Sequence, residues 1–266
     1  MKLRIALGRF LARFLGPSVI RLGQFIQSLA VVVMKPDALL EFNRRLYTEH
    51  GVLKQWGQGL ADNGLSSDEA ALLSKLPVRN GRLLILGVGG GRDAIPFARL
   101  GFEVTGLDFI PEMVEKAKEN AARQGLEIEG LIQDVSEISL PYEFYDVIWF
   151  SIFMYSFIPT RKRRVRMLKK LRMALKSDGC CVCQFYMATG SMTSRSSEFA
   201  KRLFAFATLG NRWYEKGDMI FRDGFTHAFT SVDELRSELE EGGFEIAHIH
   251  ATGRTVNGGA IIKKRL

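Results

Sequence analysis

The sequence predicts an α/β fold, a mostly parallel sheet with helices on both faces. Three observations carry this. From about Asn80 onward, short apolar runs alternate with segments whose apolar residues recur at helical spacing. A glycine cluster, "LGVGGGRDA", joins the first apolar run to the first such helix. Residues that favour helix starts fall where the period changes, with Asp93 at an N-cap position and Pro111 at a first helical position.

The elements follow in order. Leu83–Leu86 is a strand, Asp93–Leu100 a helix, Glu103–Leu107 a strand and Pro111–Arg123 a helix. Leu126–Gln133 and Val147–Phe150 are further strands, and Arg161–Lys176 is helical. The triplet "SDG" turns into the strand Cys180–Tyr186. Ser231–Glu241 is a helix ended by "EGG", and Phe244–His250 and Ala260–Lys264 are the closing strands. Met187–Thr226 does not fit the alternation. Long stretches of that kind often form lids or binding loops, so residues 187–226 are expected to be a cap inserted in a domain spanning 70–266.

Residues 1–69 are expected to form a basic, amphipathic helical extension. Lys2, Arg4, Arg9, Arg13, Arg21 and Lys35 precede Asp37, the first acid. The longest uncharged run, Leu22 to Met34, is well short of the ~20 residues a spanning helix needs. Within it Leu22, Phe25, Ile26, Leu29 and Val33 share a helical face. No small-residue cleavage site follows. Two readings stay open: a helix that packs on the domain or covers its site, and peripheral contact of residues 1–36 with an acidic membrane surface.

The 266 residues carry 37 Lys and Arg against 29 Asp and Glu, a formal net charge of +8. That balance favours anionic partners without choosing among them. Cys180, Cys181 and Cys183 lie within five positions. They cannot form a spaced disulfide framework, lack the companion ligands of a zinc site and read as small hydrophobes in a buried strand, which suits a reduced, cytoplasmic setting. No metal is expected.

The spacing of the glycines separates candidate ligands. A nucleotide-triphosphate loop needs G-x-x-x-x-G-K-[ST], and no Lys and hydroxyl stand where it needs them. A dinucleotide loop needs a third small residue where this chain has Arg92. What the chain has is Gly87-x-Gly89-x-Gly91. Asp108 ends the second strand, where a carboxylate can accept from both hydroxyls of a ribose. Asp134 follows the third strand, in "QDV". In order, "GxGxG", "LDFIPEM", "QDV", "YDVIWF" and "LKSDGCCVC" resemble the class I S-adenosylmethionine-dependent methyltransferases over residues 70–266.

The resemblance implies a Rossmann-like, seven-stranded sheet whose last strand is antiparallel, and S-adenosyl-L-methionine as the cofactor. It implies that Gly87, Val88, Gly89 and Gly91 pass near the methionine part. Asp108 would hold the ribose, Phe109 would lie against the adenine, and Asp134 with Val135 would meet its edge. Read as structure alone, Gly91 serves the turn and Asp134 caps a short helix. The family commonly has an acid two residues before the first glycine; here that position is Ile85. Asp93 either takes over its role or only caps its helix.

Transfer from a sulfonium is a direct displacement, so alignment of donor and acceptor does most of the work. Tyr155 and Tyr186 are candidates to position an acceptor, and His227 to take a proton. His248 and His250 share a strand face and read as structural or exposed; His50 is uninformative. The run "RKRRVRMLKKLRMALK" suggests nucleic acid, yet Val165, Leu168, Leu171 and Leu175 make it an amphipathic helix with a solvated basic face. A nucleic-acid partner is therefore not expected. The favoured acceptor is a small organic or lipid-like molecule; an RNA methyltransferase and a non-catalytic S-adenosylmethionine-binding module are the alternatives.

Overall fold

β1 (Gly81–Leu86) sets the pattern of the whole sheet. Leu84 and Leu86 face one apolar core and Leu83 and Ile85 the other, all four fully buried. A strand buried on both faces reads as a continuous apolar run, as this one does. The computed structural model describes residues 29–48, 64–188, 195–221, 224–250 and 257–265, together with Gly23, Ile26 and Gln55. Expectations that fall on residues 1–22, on His50 and on residues 189–194 lie outside the described residues.

β2 (Phe102–Asp108) and β4 (Tyr145–Phe150) flank β1 in parallel, with Leu86 opposite Leu107 and Phe150. β3 (Glu129–Ile132) extends the sheet beyond β2, and β5 (Leu175–Met187) lies beyond β4. β9 (Asn257–Lys264) runs antiparallel to β5 and is edged by β8 (Phe244–His250). These seven strands, in the order β3-β2-β1-β4-β5-β9-β8, form the expected sheet with its antiparallel last strand. A hairpin of β6 (Asp218–Phe221) and β7 (Gly224–Phe229) is added from the cap stretch, and β7 pairs with β5 only at Tyr186 and Met187.

Two local expectations are corrected. "SDG" does not precede the strand but lies inside it. The register steps from Tyr145↔Leu175 to Val147↔Cys180, so residues 176–179 bulge out of β5. Asp93 stands at the N-cap position of its helix, but its side chain makes no capping bond; it turns to Ser151 instead. The three cysteines are free and fully buried in β5, Cys180 in one core and Cys181 and Cys183 in the other.

One layer of helices comprises α2 (Ser67–Ser74), α3 (Ala94–Arg99) and α4 (Pro111–Ala122); the other comprises α5 (Arg161–Ala174) and α7 (Val232–Glu241). Ser66 caps α2 in a reciprocal capping box with Glu69, and Leu72 enters the core. α2 thus packs on the sheet from just ahead of residue 70. A third, smaller core joins Val31, Val32 and Leu39 to Ala205, Tyr214 and Phe225. It holds α1 (Pro36–Thr48) and α6 (Arg195–Ala207) over β7, and so roofs the carboxyl ends of the parallel strands.

Candidate active site

The glycine loop is built by backbone geometry that only glycine adopts cheaply. Gly87, Gly89 and Gly91 have φ of 80°, 50° and 92°. A Cβ on Gly87 would sit 2.5 Å from Met154 Cγ. The loop is tied to β2 at two levels. The N–H groups of Gly87 and Val88 both donate to the Leu107 carbonyl, at 2.8 and 2.9 Å. The Gly89 N–H donates to Asp108 Oδ2 at 3.0 Å, and the Ile110 N–H donates to Oδ1 at 3.1 Å. Burial pushes the Asp108 carboxyl above the ordinary range, and these N–H donors work against that rise. Each oxygen keeps a lone pair for a further donor.

The loop faces a cavity of about 450 Å³. Gly87, Val88, Gly89, Asp108, Phe109, Val135 and Tyr186 all line it. Gly91 does not; it packs against Ala117 of α4. Asp134 is also outside the wall, which Gln133 and Val135 form at that point. The Asp134 carboxylate accepts from the Ser136 N–H and hydroxyl, both at 2.8 Å, and from Arg44 at 3.3 Å. It caps the short turn after β3 and ties α1 to it.

The roof adds residues the sequence pattern did not single out. Asn43, Leu46 and Tyr47 of α1 and Phe225 of β7 line the cavity. Asn43 donates to the Phe225 carbonyl at 3.2 Å and accepts from the Phe225 N–H at 2.7 Å, so its amide acts as a strand neighbour for β7. The Arg44 guanidinium lies 5.1 Å from the Phe109 ring centre. Burial, with Tyr186 and Asp108 beside it, raises the Tyr47 phenol well above its ordinary range. The one sequence signal for these residues was Leu39, Asn43 and Tyr47 at intervals of four, a helix face that needs something to cover. On the floor, Phe153 holds a φ of 60° and stacks on Tyr186 at 3.9 Å.

Two candidates lie outside the cavity wall. Tyr155 is fully buried away from the cavity, and its hydroxyl donates to Glu238 Oε1 at 2.5 Å. His227 is also fully buried outside the wall, with Nδ1 2.8 Å from Asp218 Oδ1. Both belong to one network centred on Arg164. That guanidinium meets Glu238 at 2.7 and 2.8 Å and Glu215 at 2.8 Å. Glu215, Asp218 and His227 come within metal-ligand reach of one another, but the guanidinium on Glu215 already supplies the positive charge there. His248 and His250 are exposed on β8.

Ile85 is an apolar core residue, and polar order comes to the loop from elsewhere. Arg92 donates to both Glu69 oxygens and contacts Asp93. Asp93 accepts from Ser151, a cavity residue, at 2.7 Å.

Comparison with known proteins follows this geometry. Residues 83–179 match the family model described as a methyltransferase domain. A ubiquinone biosynthesis O-methyltransferase of Cereibacter sphaeroides is 29% identical over 181 residues, covering 65% of this chain and 64% of that protein. A phosphatidylethanolamine N-methyltransferase of Cereibacter sphaeroides is 37% identical over 89 residues, 33% of this chain and 43% of that protein. The structure of the CcbJ methyltransferase from Streptomyces caelestis superposes with a TM-score of 0.60 at 17% identity, covering 81% of this chain and 96% of that one. The chain spans about 64% of the length of the ubiquinone-biosynthesis relatives it matches. Residues 83–179 are thus similar to a methyltransferase domain, and the fold is that of the solved methyltransferase structures.

Proposed function

We propose that this protein transfers a methyl group from S-adenosylmethionine to a small, amphiphilic organic acceptor. One observation carries the proposal. A single cavity of about 450 Å³ has a bare glycine backbone and the Asp108 carboxylate at one side and Tyr47, Phe153, Phe157, Tyr186 and Phe225 at the other. Pockets that take small molecules have this size and this mix of apolar wall with few polar groups.

The residues fit the cofactor. Glycines at positive φ leave room along Gly87–Gly89, and Asp108 has lone pairs free for a ribose. The cofactor supplies a methyl already activated on a sulfonium. On binding, the acceptor would take that methyl by direct displacement, with the sulfur keeping the bonding pair and the acceptor's proton released to bulk solvent. The chain's task is to align and to exclude solvent. Tyr47 keeps its proton at neutral pH, so it serves as a hydrogen-bond donor to an acceptor oxygen, not as a base.

Relatives named for ubiquinone biosynthesis and for phosphatidylethanolamine support an amphiphilic acceptor. The RNA alternative is weakened by α5. Arg161, Arg163, Arg164, Arg166 and Lys170 each meet a carboxylate of the same chain. The Arg164 side chain is buried, contrary to a wholly solvated basic face. Residues 1–36 are read as a covering extension whose basic start also suits acidic lipid. Residues 31 and 32, fully buried in the roof core, support the covering role. Among the described residues no helix is long and apolar enough to cross a membrane.

Calorimetry with S-adenosylmethionine and S-adenosylhomocysteine is the test. Wild type should bind both, and Asp108→Ala should bind roughly tenfold to a hundredfold more weakly, the scale of a lost charged hydrogen bond. No binding by wild type, or unchanged binding by a folded Asp108→Ala, overturns the proposal.

A further inference from the structure

We propose that the outer face of the roof docks on an anionic lipid membrane. α6 turns Ala205 and Lys201 inward and presents Phe199, Leu203 and Phe206, at intervals of four and three, to solvent. Phe199 is 71% exposed, Phe206 66%, and beyond the helix end Leu209 67% and Trp213 59%. Val33, also exposed, backs onto Gly210 beside them. Single exposed apolar residues are ordinary on a protein surface; a contiguous set of this size marks an interaction face.

The occupant is argued from charge and from strain. Between residues 198 and 217 the exposed charged side chains are Arg202, Arg212 and Lys216, all cationic. The two acids in that span are engaged inward, Glu198 with Lys201 and Glu215 with Arg164. Arg212 lies 5.6 Å from the Phe206 ring centre, so cation and aromatic are presented together. An apolar helix face rimmed by cations is what an in-plane membrane helix uses.

Leu209 adds a second observation. It stands in the turn after α6 at φ 51°, a left-handed conformation where glycine would cost nothing and leucine costs about 1 kcal/mol or more. The Gly210 N–H, bonded to the Ala205 carbonyl at 2.9 Å, closes the turn around it. The chain thus holds an apolar side chain outward against its backbone preference.

The inner side of the same roof supplies Phe225 to the cavity, one layer below α6. Docking therefore sets the cavity beside the headgroups. Only this last point rests on the amphiphilic-acceptor proposal.

The test is flotation of the full chain with vesicles of phosphatidylcholine alone and of phosphatidylcholine with phosphatidylglycerol. Wild type should float with the anionic vesicles and be released as salt rises. The variant Phe199→Ser/Leu203→Ser/Phe206→Ser should lose roughly a thousandfold or more in partition, the scale expected for three apolar side chains left unburied. Its melting temperature and S-adenosylmethionine binding should match wild type, since the three side chains are exposed. Arg202→Glu/Arg212→Glu should lose the preference for anionic vesicles. The proposal is overturned if wild type ignores both vesicles, or if the triple variant floats as wild type does. It is also overturned if sedimentation shows this face burying itself in a dimer that the triple variant abolishes while vesicles have no effect. Cofactor binding is measured on the same samples, so loss of docking and loss of the methyltransferase assignment are read separately.

Discussion

The Arg92 guanidinium lies across the Glu69 carboxylate, with bonds of 2.7 and 2.6 Å in a buried setting. Burial pushes the Glu69 carboxyl up, but Arg92, the Ser66 N–H and Gln184 outweigh it and hold Glu69 below the ordinary range. Glu69→Gln takes one of the two carboxylates off the buried cation and leaves Asp93 facing it. The expected cost is about 3–5 kcal/mol in denaturant unfolding, and Glu69→Leu/Arg92→Met should recover most of it. If the double variant is no better than the single, the pair is not the source of the loss.

Asp93 behaves in the opposite sense. Burial, with Glu69 nearby, raises its carboxyl from an ordinary 3.8 to about 6, against the pull of Arg92 and Ser151. The folded chain therefore holds a proton that the unfolded chain releases. Stability from Asp93 is complete below about pH 3.8 and is lost as pH rises through about 6. Asp93→Asn mimics the protonated group at every pH. Its stability relative to wild type should grow between pH 4 and pH 7, by on the order of 2–3 kcal/mol. Paired thermal melts across that range check this; a flat difference refutes it.

Gly87→Ala combines two costs. The new Cβ would meet Met154 Cγ at 2.5 Å, and φ at 80° is unfavourable for alanine. The backbone contribution is of order 1–3 kcal/mol. Stability should fall by at least that much and cofactor affinity with it, since Met154 is displaced into the cavity. Differential scanning calorimetry with and without S-adenosylmethionine separates the two effects.

The tyrosines should divide cleanly. Tyr155→Phe leaves Glu238 short of one donor and should lower stability by about 1–3 kcal/mol, with cofactor affinity unchanged. Tyr47→Phe and Tyr186→Phe should leave the fold near wild type and lower kcat/KM for the acceptor. A Tyr155→Phe enzyme that melts normally but fails to methylate would reverse these assignments.

Much of this was legible because it is local. The glycine loop, Asp108 and the buried cysteines each follow from spacing along one strand or turn. What was not legible depends on partners far along the chain. Arg164 looks solvated in "RKRRVR" because period shows which residues share a stripe, not that Glu238 waits 74 positions away. Tyr155 and His227 carry polar tips, and only their acids, Glu238 and Asp218, show that those tips point away from the cavity. Tyr47 reaches the site only once α1 has crossed to β7. The bulge in β5 turned a turn signal into an irregularity of the strand.

The paired bonds between Asn43 and Phe225 join positions 182 residues apart. α1 is made 182 positions before its docking partner. Closing so long a loop is entropically slow and has to follow the local pairings. Glycine loop and Asp108 belong to neighbouring strands and assemble first. The chamber therefore closes only after β7 is made, when Asn43 can bond to Phe225.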